Sequence, residues 1–172
     1  IVVYTNYAPD HLSWHGGVAG YVAAKASVAL RLEEPAVVVY PLQAGPLAEA
    51  VSKTAATTVT LGGNTGRAMV RLDTRSGTVS TSSRRFSLTE LAGRLAYQWR
   101  FVSCAIHCTY AVAQALDIDD QAFSAAVLAF QPLAHRLETA GSVGNIDFIN
   151  DSKATNIDST QYALKMCSGP LV

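Results

Sequence analysis

Charge is scarce in this chain, and neither sign dominates. Charged residues make up 15% of its 172 residues, and the 13 lysines and arginines are matched by 13 aspartates and glutamates. A neutral chain lacks the broad basic surface that nucleic-acid-binding proteins use to neutralise phosphates, so we expect no nucleic-acid partner. Hydrophobic residues make up 49% of the chain, which is enough to build a buried core and argues against wholesale disorder.

Long hydrophobic runs and a paired set of cysteines are also missing. No apolar run approaches the roughly 20 residues that cross a bilayer, so we expect no membrane insertion. The first residues lack the basic stretch of a signal peptide. Three cysteines, Cys104, Cys108 and Cys167, favour a reducing, cytoplasmic setting over a disulfide framework. Both ends of the sequence interrupt strand-like stretches, so we expect a piece of a longer protein.

Runs of β-branched residues alternate with longer helical patterns. The predicted strands are residues 2–4, 37–40, 57–61, 68–73, 78–82 and 146–149. The predicted helices are residues 18–32, 46–53, 101–116 and 120–130, with a further helix that starts at Asp158, where Gln161 completes a capping box. This alternation predicts an α/β fold with a largely parallel sheet, and the strand-rich middle predicts an antiparallel extension.

A change in composition near residues 131 and 132 divides the sequence. An alanine-rich pair of helices precedes this point, and a new strand–loop–helix unit follows it. We therefore predict one domain over residues 1–131 and the beginning of a second over residues 132–172.

Lys25 falls on the apolar face of the first long predicted helix. Tyr21 and Val22 precede it by about one turn, and the three residues share one face at helical spacing. Burying an ammonium group is costly, so one interpretation is that the stem packs while the amine reaches solvent. The other is that Lys25 points into a site beside Asp10 and His11, where a neutral amine could form a carbamate and bind Mg²⁺.

Two strings in the first part of the chain resemble the central-domain signature of the Mur ligases. Residues 6–16 read N-Y-A-P-D-H-L-S-W-H-G and residues 21–25 read Y-V-A-A-K, similar to the family pattern N-x-x-x-D-H-L-D-x-H-G followed by Y-x-x-A-K. Ser13 replaces the usual Asp. The resemblance implies that His11 binds a magnesium ion and that Lys25, as a carbamate, helps to hold the metal and the γ-phosphate of ATP.

A further string, near the end of the chain, resembles the branch of that family that adds D-glutamate. Residues 148–156 read F-I-N-D-S-K-A-T-N, a polar loop between a predicted strand and a predicted helix, where anionic ligands often bind. The resemblance implies that Asp151 contacts the nucleotide, that Lys153 lies near the phosphates and that Thr155 helps to bind D-glutamate. From composition alone, a turn in which Asn and Asp side chains bind their own backbone is the better interpretation.

Residues 130–138 read F-Q-P-L-A-H-R-L-E, which resembles the family's F-x-G-L-P-H-R-x-E. The resemblance implies that Arg136 contacts the nucleotide. Pro132 and Ala134 replace the usual Gly and Pro, which puts the local turn in question. By spacing alone, His135 and Arg136 are better interpreted as a surface pair.

Other segments depart from the family pattern. Residues 93–99 lack the two asparagines of G-x-H-N-x-x-N, and residues 40–46 replace a usual N-x-D-D-P. Cys104, His107 and Cys108 could suggest zinc, but they share one predicted helix and lack a fourth ligand. Residues 62–67, G-G-N-T-G-R, lack the ending of a phosphate loop, and we predict a hairpin turn there.

Together the resemblances imply a fold and an activity. Residues 1–131 would be the later part of a Mur-ligase central ATP-binding domain, and residues 132–172 the start of a Rossmann-like C-terminal domain. The complete protein would use ATP and Mg²⁺ to join D-glutamate to UDP-N-acetylmuramoyl-L-alanine through an acyl phosphate, in the cytoplasm and as a monomer. The chain alone, without a phosphate loop, would be inactive. A ligase for another substrate and a non-catalytic nucleotide-binding relative remain alternatives.

Overall fold

The computed structural model describes residues 1–63, 67–73, 76–89, 91, 99–155, 157–167 and 170–171. Residues 64–66 and 92–98 therefore lie outside the described part, as do Asn156 and the side chain of Asp158, so the capping-box prediction is not tested. No helix of the described residues is long and apolar enough to cross a membrane.

A six-stranded sheet organises the first part of the chain. Its strands follow the order of the sequence: β1 (Val2–Val3), β2 (Val37–Pro41), β3 (Thr57–Gly63), β4 (Val70–Asp73), β5 (Thr78–Ser80) and β6 (Arg85–Ser87). The first four strands run parallel, and β5 and β6 continue the sheet antiparallel. This confirms the predicted α/β fold with a mostly parallel sheet and an antiparallel extension.

Helices cover the two faces of the sheet. α1 (Leu12–His15), α2 (Val18–Leu30) and α3 (Pro46–Val51) follow β1 and β2, while α4 (Trp99–Ala115) and α5 (Asp120–Ala129) follow the sheet. Tyr40 and its neighbour Val38 point into a core with α2 and α3 residues, whereas Val39 points into a core with residues of α4 and α5. A strand buried on both faces explains why β2 is a continuous apolar run.

Capping and aromatic packing fix the helix pair α4–α5. The Asp119 side chain accepts hydrogen bonds of 2.9 Å from the backbone N–H groups of Gln121 and Ala122 at the start of α5. Phe123 of α5 packs edge-on against Tyr110 of α4, with 5.0 Å between ring centroids, and against Phe86 of β6, at 5.5 Å. The cap satisfies donors that a helix start leaves open, and the rings join both helices to the antiparallel extension.

The predicted hairpin at residues 62–67 is wrong, because β3 and β4 are parallel, with Leu61 opposite Val70. Residues 67–69 return beside β3, where the Met69 N–H donates to the Thr60 hydroxyl at 3.1 Å. Gly62 belongs to β3 rather than to a turn. A Cβ at this position would lie 2.7 Å from the Ala68 side chain, so the glycine permits close packing of the returning segment.

The last part of the described chain forms a separate two-stranded sheet. β7 (Glu138–Val143) and β8 (Ile146–Asn150) pair antiparallel, and α6 (Ile157–Met166) follows. β8 and α6 match the predicted strand and helix, whereas β7 was not predicted, and neither were α1 and β6. The proposed domain boundary at residues 131 and 132 stays a prediction.

Gly20 sets how closely α1 approaches α2. A methyl group at this position would lie 1.8 Å from the carbonyl oxygen of His15. In a helix without this neighbour, Gly→Ala would stabilise by about 1 kcal/mol. Here the overlap with backbone outweighs that gain, so we expect Gly20→Ala to lower the free energy of unfolding by roughly 1–3 kcal/mol in thermal or urea unfolding.

The matched control for this prediction is Ala24→Gly at an exposed position of the same helix. It should lower stability by roughly 0.5–1 kcal/mol, through helix propensity alone. A Gly20→Ala protein as stable as the parent would show that the packing of α1 on α2 does not depend on this close approach.

Candidate functional site

The loop after β1 carries the first predicted site residues. The Asp10 carboxylate accepts a hydrogen bond of 2.8 Å from the His11 N–H, and its other oxygen lies 3.7 Å from the His11 ring nitrogen Nε2. His11 adopts a left-handed backbone, with φ of 52°, where α1 begins. Its side chain is 82% exposed, so the imidazole is open to a ligand at the carboxyl-terminal edge of the parallel strands.

Tyr21 ties that loop to α2. Its hydroxyl donates to the carbonyl of Ala8 at 3.0 Å. Its ring lies edge-on to the rings of Tyr7 and His15, with centroids 6.1 and 5.4 Å away. The Lys25 amine lies 5.5 Å from the centroid of the same ring. Tyr21 therefore positions both the loop and the lysine, a role that the Y-x-x-A-K spacing could have suggested.

The prediction that Lys25 lies on the inner face of its helix is wrong, because its side chain is exposed. The buried face of α2 consists of Tyr21, Val22, Ala26 and Ala29. The backbone of Lys25 lies against the core, where its carbonyl accepts a 2.7 Å hydrogen bond from the Tyr4 hydroxyl. The long side chain instead extends across the Tyr21 ring toward solvent, as in the alternative interpretation.

Two polar segments, residues 135–138 and 150–153, meet at a point that we call the junction. The Leu137 N–H donates to the Asp151 carboxylate at 3.1 Å, and the Lys153 N–H donates to the His135 carbonyl at 3.2 Å. These bonds bring the segments of Arg136, Asp151 and Lys153 together. The nucleotide contacts that the resemblance implies for these residues stay predictions. The side chains of Arg136 and Lys153 are both exposed.

A second set of bonds fixes the side of the junction next to β7 and β8. The Glu138 carboxylate accepts from the His135 N–H at 2.8 Å and from the Asn150 side-chain amide at 3.3 Å. That amide also lies 2.8 Å from the His135 ring nitrogen Nδ1. Sequence reasoning gave Glu138 and Asn150 no role, although both belong to the strings that carry the resemblance.

The loop of the junction also satisfies its own backbone. The Asn150 side-chain oxygen accepts from the Ser152 N–H at 3.2 Å, and the Asp151 carbonyl accepts from the Ala154 N–H at 2.9 Å. Thr155 is exposed, two residues before α6 begins at Ile157. The loop is therefore ordered by its own bonds while the side chains of Ser152, Lys153 and Thr155 are exposed. The turn interpretation and the ligand-binding interpretation are compatible for this reason.

The triplet Cys104, His107 and Cys108 does not converge on one point. His107 is buried, and its Nε2 atom lies 2.8 Å from the carbonyl oxygen of Val70. Burial lowers the pKa of His107, so the ring is neutral at pH 7. Burial, with a smaller contribution from nearby Cys104, raises the pKa of Cys108 to about 11, which disfavours the thiolate that binds metal.

The described residues contain no group of three or more His, Cys, Asp or Glu side chains that could hold a metal ion. Asp10 and His11 supply one carboxylate and one imidazole. Such a pair fits a magnesium ion that keeps several waters and takes further oxygen ligands from phosphates. It does not fit a structural metal held by protein alone.

Comparison with curated proteins gives consistent similarity over nearly the whole chain. The UDP-N-acetylmuramoylalanine–D-glutamate ligase of Caulobacter sp. (strain K31) is 30% identical over 174 aligned residues, which cover 95% of this chain and 36% of the relative. The ligase of the same name from Paramagnetospirillum magneticum (strain ATCC 700264 / AMB-1) is 32% identical with the same coverage. No family model matches the chain.

A solved structure shows the same fold. MurF from Acinetobacter baumannii superposes with a TM-score of 0.69 over 97% of this chain and 37% of its own, at 18% identity. Over nearly its whole length the chain is therefore similar to Mur ligases.

These similarities confirm the resemblance and the fold, while the roles of individual residues stay predictions. The chain spans about a third of the length of the curated relatives that it matches. Among the predicted site residues, Arg136, Asp151 and Lys153 share the junction, and the Lys25 amine lies over the Tyr21 ring. His11 lies in the loop that Tyr21 binds through the carbonyl of Ala8. The departure from the family pattern at residues 93–99 falls almost wholly on residues 92–98, which lie outside the described part.

The Asp151 carboxylate should hold the junction together. Asp151→Ala removes the acceptor of the Leu137 N–H, and Leu137 is only 3% exposed. Leaving a buried donor unpaired costs about 1–3 kcal/mol. We expect amide hydrogen exchange at Leu137, followed by NMR, to accelerate by at least tenfold.

Asp151→Asn keeps an acceptor oxygen and should restore most of that protection. Asp147→Ala, at an exposed carboxylate on β8, is the matched control. Unchanged exchange at Leu137 in Asp151→Ala would contradict a structural role for this carboxylate.

His107 should make the stability of the fold depend on pH. The folded-state pKa lies below the unfolded value of about 6.5. The unfolded chain therefore binds the proton first, and stability is lost as pH falls below about 6.5, until the folded pKa is passed. In His107→Gln, whose amide can still donate to Val70, urea unfolding should show a smaller loss between pH 8 and pH 5.

His11→Gln removes an exposed imidazole and serves as the control for the same measurement. It should retain the full pH-dependent loss of the parent. Parallel curves for the parent and His107→Gln would show that the buried imidazole does not titrate as its environment indicates.

Proposed function

We propose that the protein to which this chain belongs ligates D-glutamate to UDP-N-acetylmuramoyl-L-alanine, with ATP as co-substrate and Mg²⁺ as cofactor, in cytoplasmic cell-wall precursor synthesis. The observation that carries this proposal is the junction, which brings two separate polar segments together and directs cationic side chains outward. The similarity over 95% of the chain to ligases named for this reaction supports it.

The junction suits a substrate that carries phosphates. Arg136 and Lys153 add two positive charges, and the bonds of Leu137 to Asp151 and of Lys153 to His135 hold their backbones in place. Fixed cations stabilise the charge that develops on a phosphoryl group during transfer, without having to reorganise at that moment. The second Asp151 oxygen could accept a hydrogen bond from a nucleotide hydroxyl.

Thr155 is suited to the incoming amino acid. It is exposed and precedes the amino terminus of α6, a helix of 10 residues. Its hydroxyl can donate to a carboxylate, and the helix end favours a negative charge. A neutral or basic side chain would gain less there, which favours D-glutamate over lysine or alanine.

The loop after β1 would serve the metal. His11, with the Asp10 carboxylate beside it, would bind the ion, and Lys25, as a carbamate, would supply further oxygen ligands. A magnesium ion held there would neutralise phosphate charge. Tyr21 would keep the lysine oriented, because its ring and its hydroxyl contact α2 and the loop at once.

The proposal is tested with the full-length protein in a competition assay. UDP-N-acetylmuramoyl-L-alanine, ATP and Mg²⁺ are supplied with an equimolar panel of D-glutamate, L-alanine, L-lysine and diaminopimelate, and products are identified by mass spectrometry. We expect D-glutamate to be the clearly preferred acceptor. Preference for another amino acid would show that the protein is a ligase with a different substrate. Absence of any product would favour a non-catalytic relative.

Thr155→Val isolates the contribution of the hydroxyl without changing side-chain size. We expect KM for D-glutamate to rise about tenfold or more, the loss of one charge-assisted hydrogen bond, with KM for ATP unchanged. Ser152→Ala removes a hydroxyl from the same loop and should leave both constants near the parent values. An unchanged KM for D-glutamate in Thr155→Val would remove this residue from the amino-acid site.

A further inference from the structure

A polar groove lies on the antiparallel extension, away from the loop of His11 and from the junction. It is a cavity of about 440 Å³, lined by Arg71, by Thr78 and by all residues from Ser80 to Arg85. A second cavity of about 730 Å³ shares Arg71, Thr81, Ser82 and Ser83 with it. The two cavities are therefore neighbours, and we call the smaller one the arginine groove.

The register of the strands brings cationic side chains to one face of this groove. Arg71 of β4 lies opposite Ser80 of β5, and Ser80 lies opposite Arg85 of β6. Residues opposite one another in a sheet point to the same face, so these three form one row with about 5 Å between neighbouring strands. The alternate residues Leu72, Val79 and Phe86 point to the core with α4 and α5.

The positive charge of the row is not matched from within the groove. No described residue that lines either cavity is an aspartate or a glutamate. Arg67 adds a further guanidinium to the larger cavity. Arg84 is compensated, with its guanidinium 3.4 Å from the Asp120 carboxylate. Asp73 lies on the same face two residues after Arg71, opposite Thr78. Its carboxylate accepts a hydrogen bond of 2.8 Å from the Ser76 hydroxyl.

The arrangement of donors suits a phosphate group. Arg71 is half-buried and directs one guanidinium nitrogen to the Thr81 carbonyl at 3.5 Å, which orients the fork while leaving other donors for a ligand. Ser80, Ser82 and Ser83 line the same cavity. Planar guanidinium groups bind phosphate oxygens in pairs, and neighbouring hydroxyls supply further donors.

The larger cavity is a separate space. Apart from Arg67 and the shared residues, most of its lining is apolar: Val37, Val59, Ala68, Met69, Val70, Ala111 and Ala115. Val37, Val59 and Val70 lie on the face of the sheet that packs on α4, whereas the row lies on the other face. A ligand on the row therefore depends on the polar groups of the smaller cavity.

We propose that the arginine groove binds a phosphate group, free or as a phosphomonoester, on the row Arg71–Ser80–Arg85. This site is separate from the ligase site proposed above and does not depend on it. Because it uses none of the residues His11, Lys25, Arg136, Asp151 and Lys153, the two proposals can fail independently.

The test follows binding of 1-naphthyl phosphate to the 172-residue chain by ¹⁵N NMR, with inorganic phosphate and 1-naphthol as companion probes. We expect saturable shifts of the backbone signals of residues 80–85 with 1-naphthyl phosphate and with inorganic phosphate, and at least tenfold weaker binding of 1-naphthol. Shifts confined to residues 135–138 and 150–155 would overturn the proposal. Equal affinity for 1-naphthol would also overturn it.

Variants separate a formed site from general charge attraction. Arg71→Gln should weaken binding of 1-naphthyl phosphate at least tenfold. Arg85→Gln lies at an exposed position and spares the Thr81 contact, and it should also weaken binding of 1-naphthyl phosphate. This second variant keeps the test valid if Arg71→Gln disturbs the strand. Arg31→Gln, at the end of α2, removes the same charge elsewhere and should have no effect. Equal losses in Arg31→Gln and Arg85→Gln would overturn the proposal.

Discussion

The double burial of β2 is the constraint on which the rest of the first sheet depends. Val38 and Val39 are adjacent, face opposite sides and are both 0% exposed, so helices must cover both faces of the sheet there. Burial of each valine stabilises the fold by roughly 1.5–3 kcal/mol. A shift of one residue in the pairing would exchange the two cores, and the registers of Val38 and Val39 with β1 and β3 are therefore strongly specified.

That constraint also separates the two edges of the sheet. Because β1 to β4 run parallel, all their carboxyl ends lie on one side, where the loop of Asp10 and His11 follows β1. Their amino ends lie on the other side, where the cavity beside Val37 and Thr57 opens. The antiparallel strands β5 and β6 then extend the sheet beyond the cover of α2 and α3. Their outer face can be polar for this reason, and their inner face stays apolar against α4 and α5.

The sequence predicts those parts of the structure whose pattern arises from local burial. Residues 37–40 and 101–116 were assigned correctly because a doubly buried strand and an amphipathic helix have distinct periods. The parallel pairing of β3 with β4 was missed, since the glycines at 62 and 63 read as a turn, whereas Gly62 lies in β3 and permits the close approach of Ala68. β7 was missed because residues 139–142 read T-A-G-S, with Gly141 at φ of 144° in an irregular register. The side-chain path of Lys25 depends on the Tyr21 ring, which periodicity does not describe.

Backbone strain gives an independent reason to assign function to the predicted site residues. Four described residues other than glycine have positive φ: His11, Asp117, His135 and Leu137. Asp117 follows the end of α4, where a left-handed residue is ordinary. The other three lie in the loop after β1 and at the junction. Each of these backbone conformations costs about 1–3 kcal/mol and persists only where its surroundings enforce it. At the junction the enforcing contacts are visible, because Leu137 donates to Asp151 and His135 donates to Glu138. His135 and Leu137 flank Arg136, so the backbone conformation that these contacts enforce also sets the direction in which Arg136 leaves the chain.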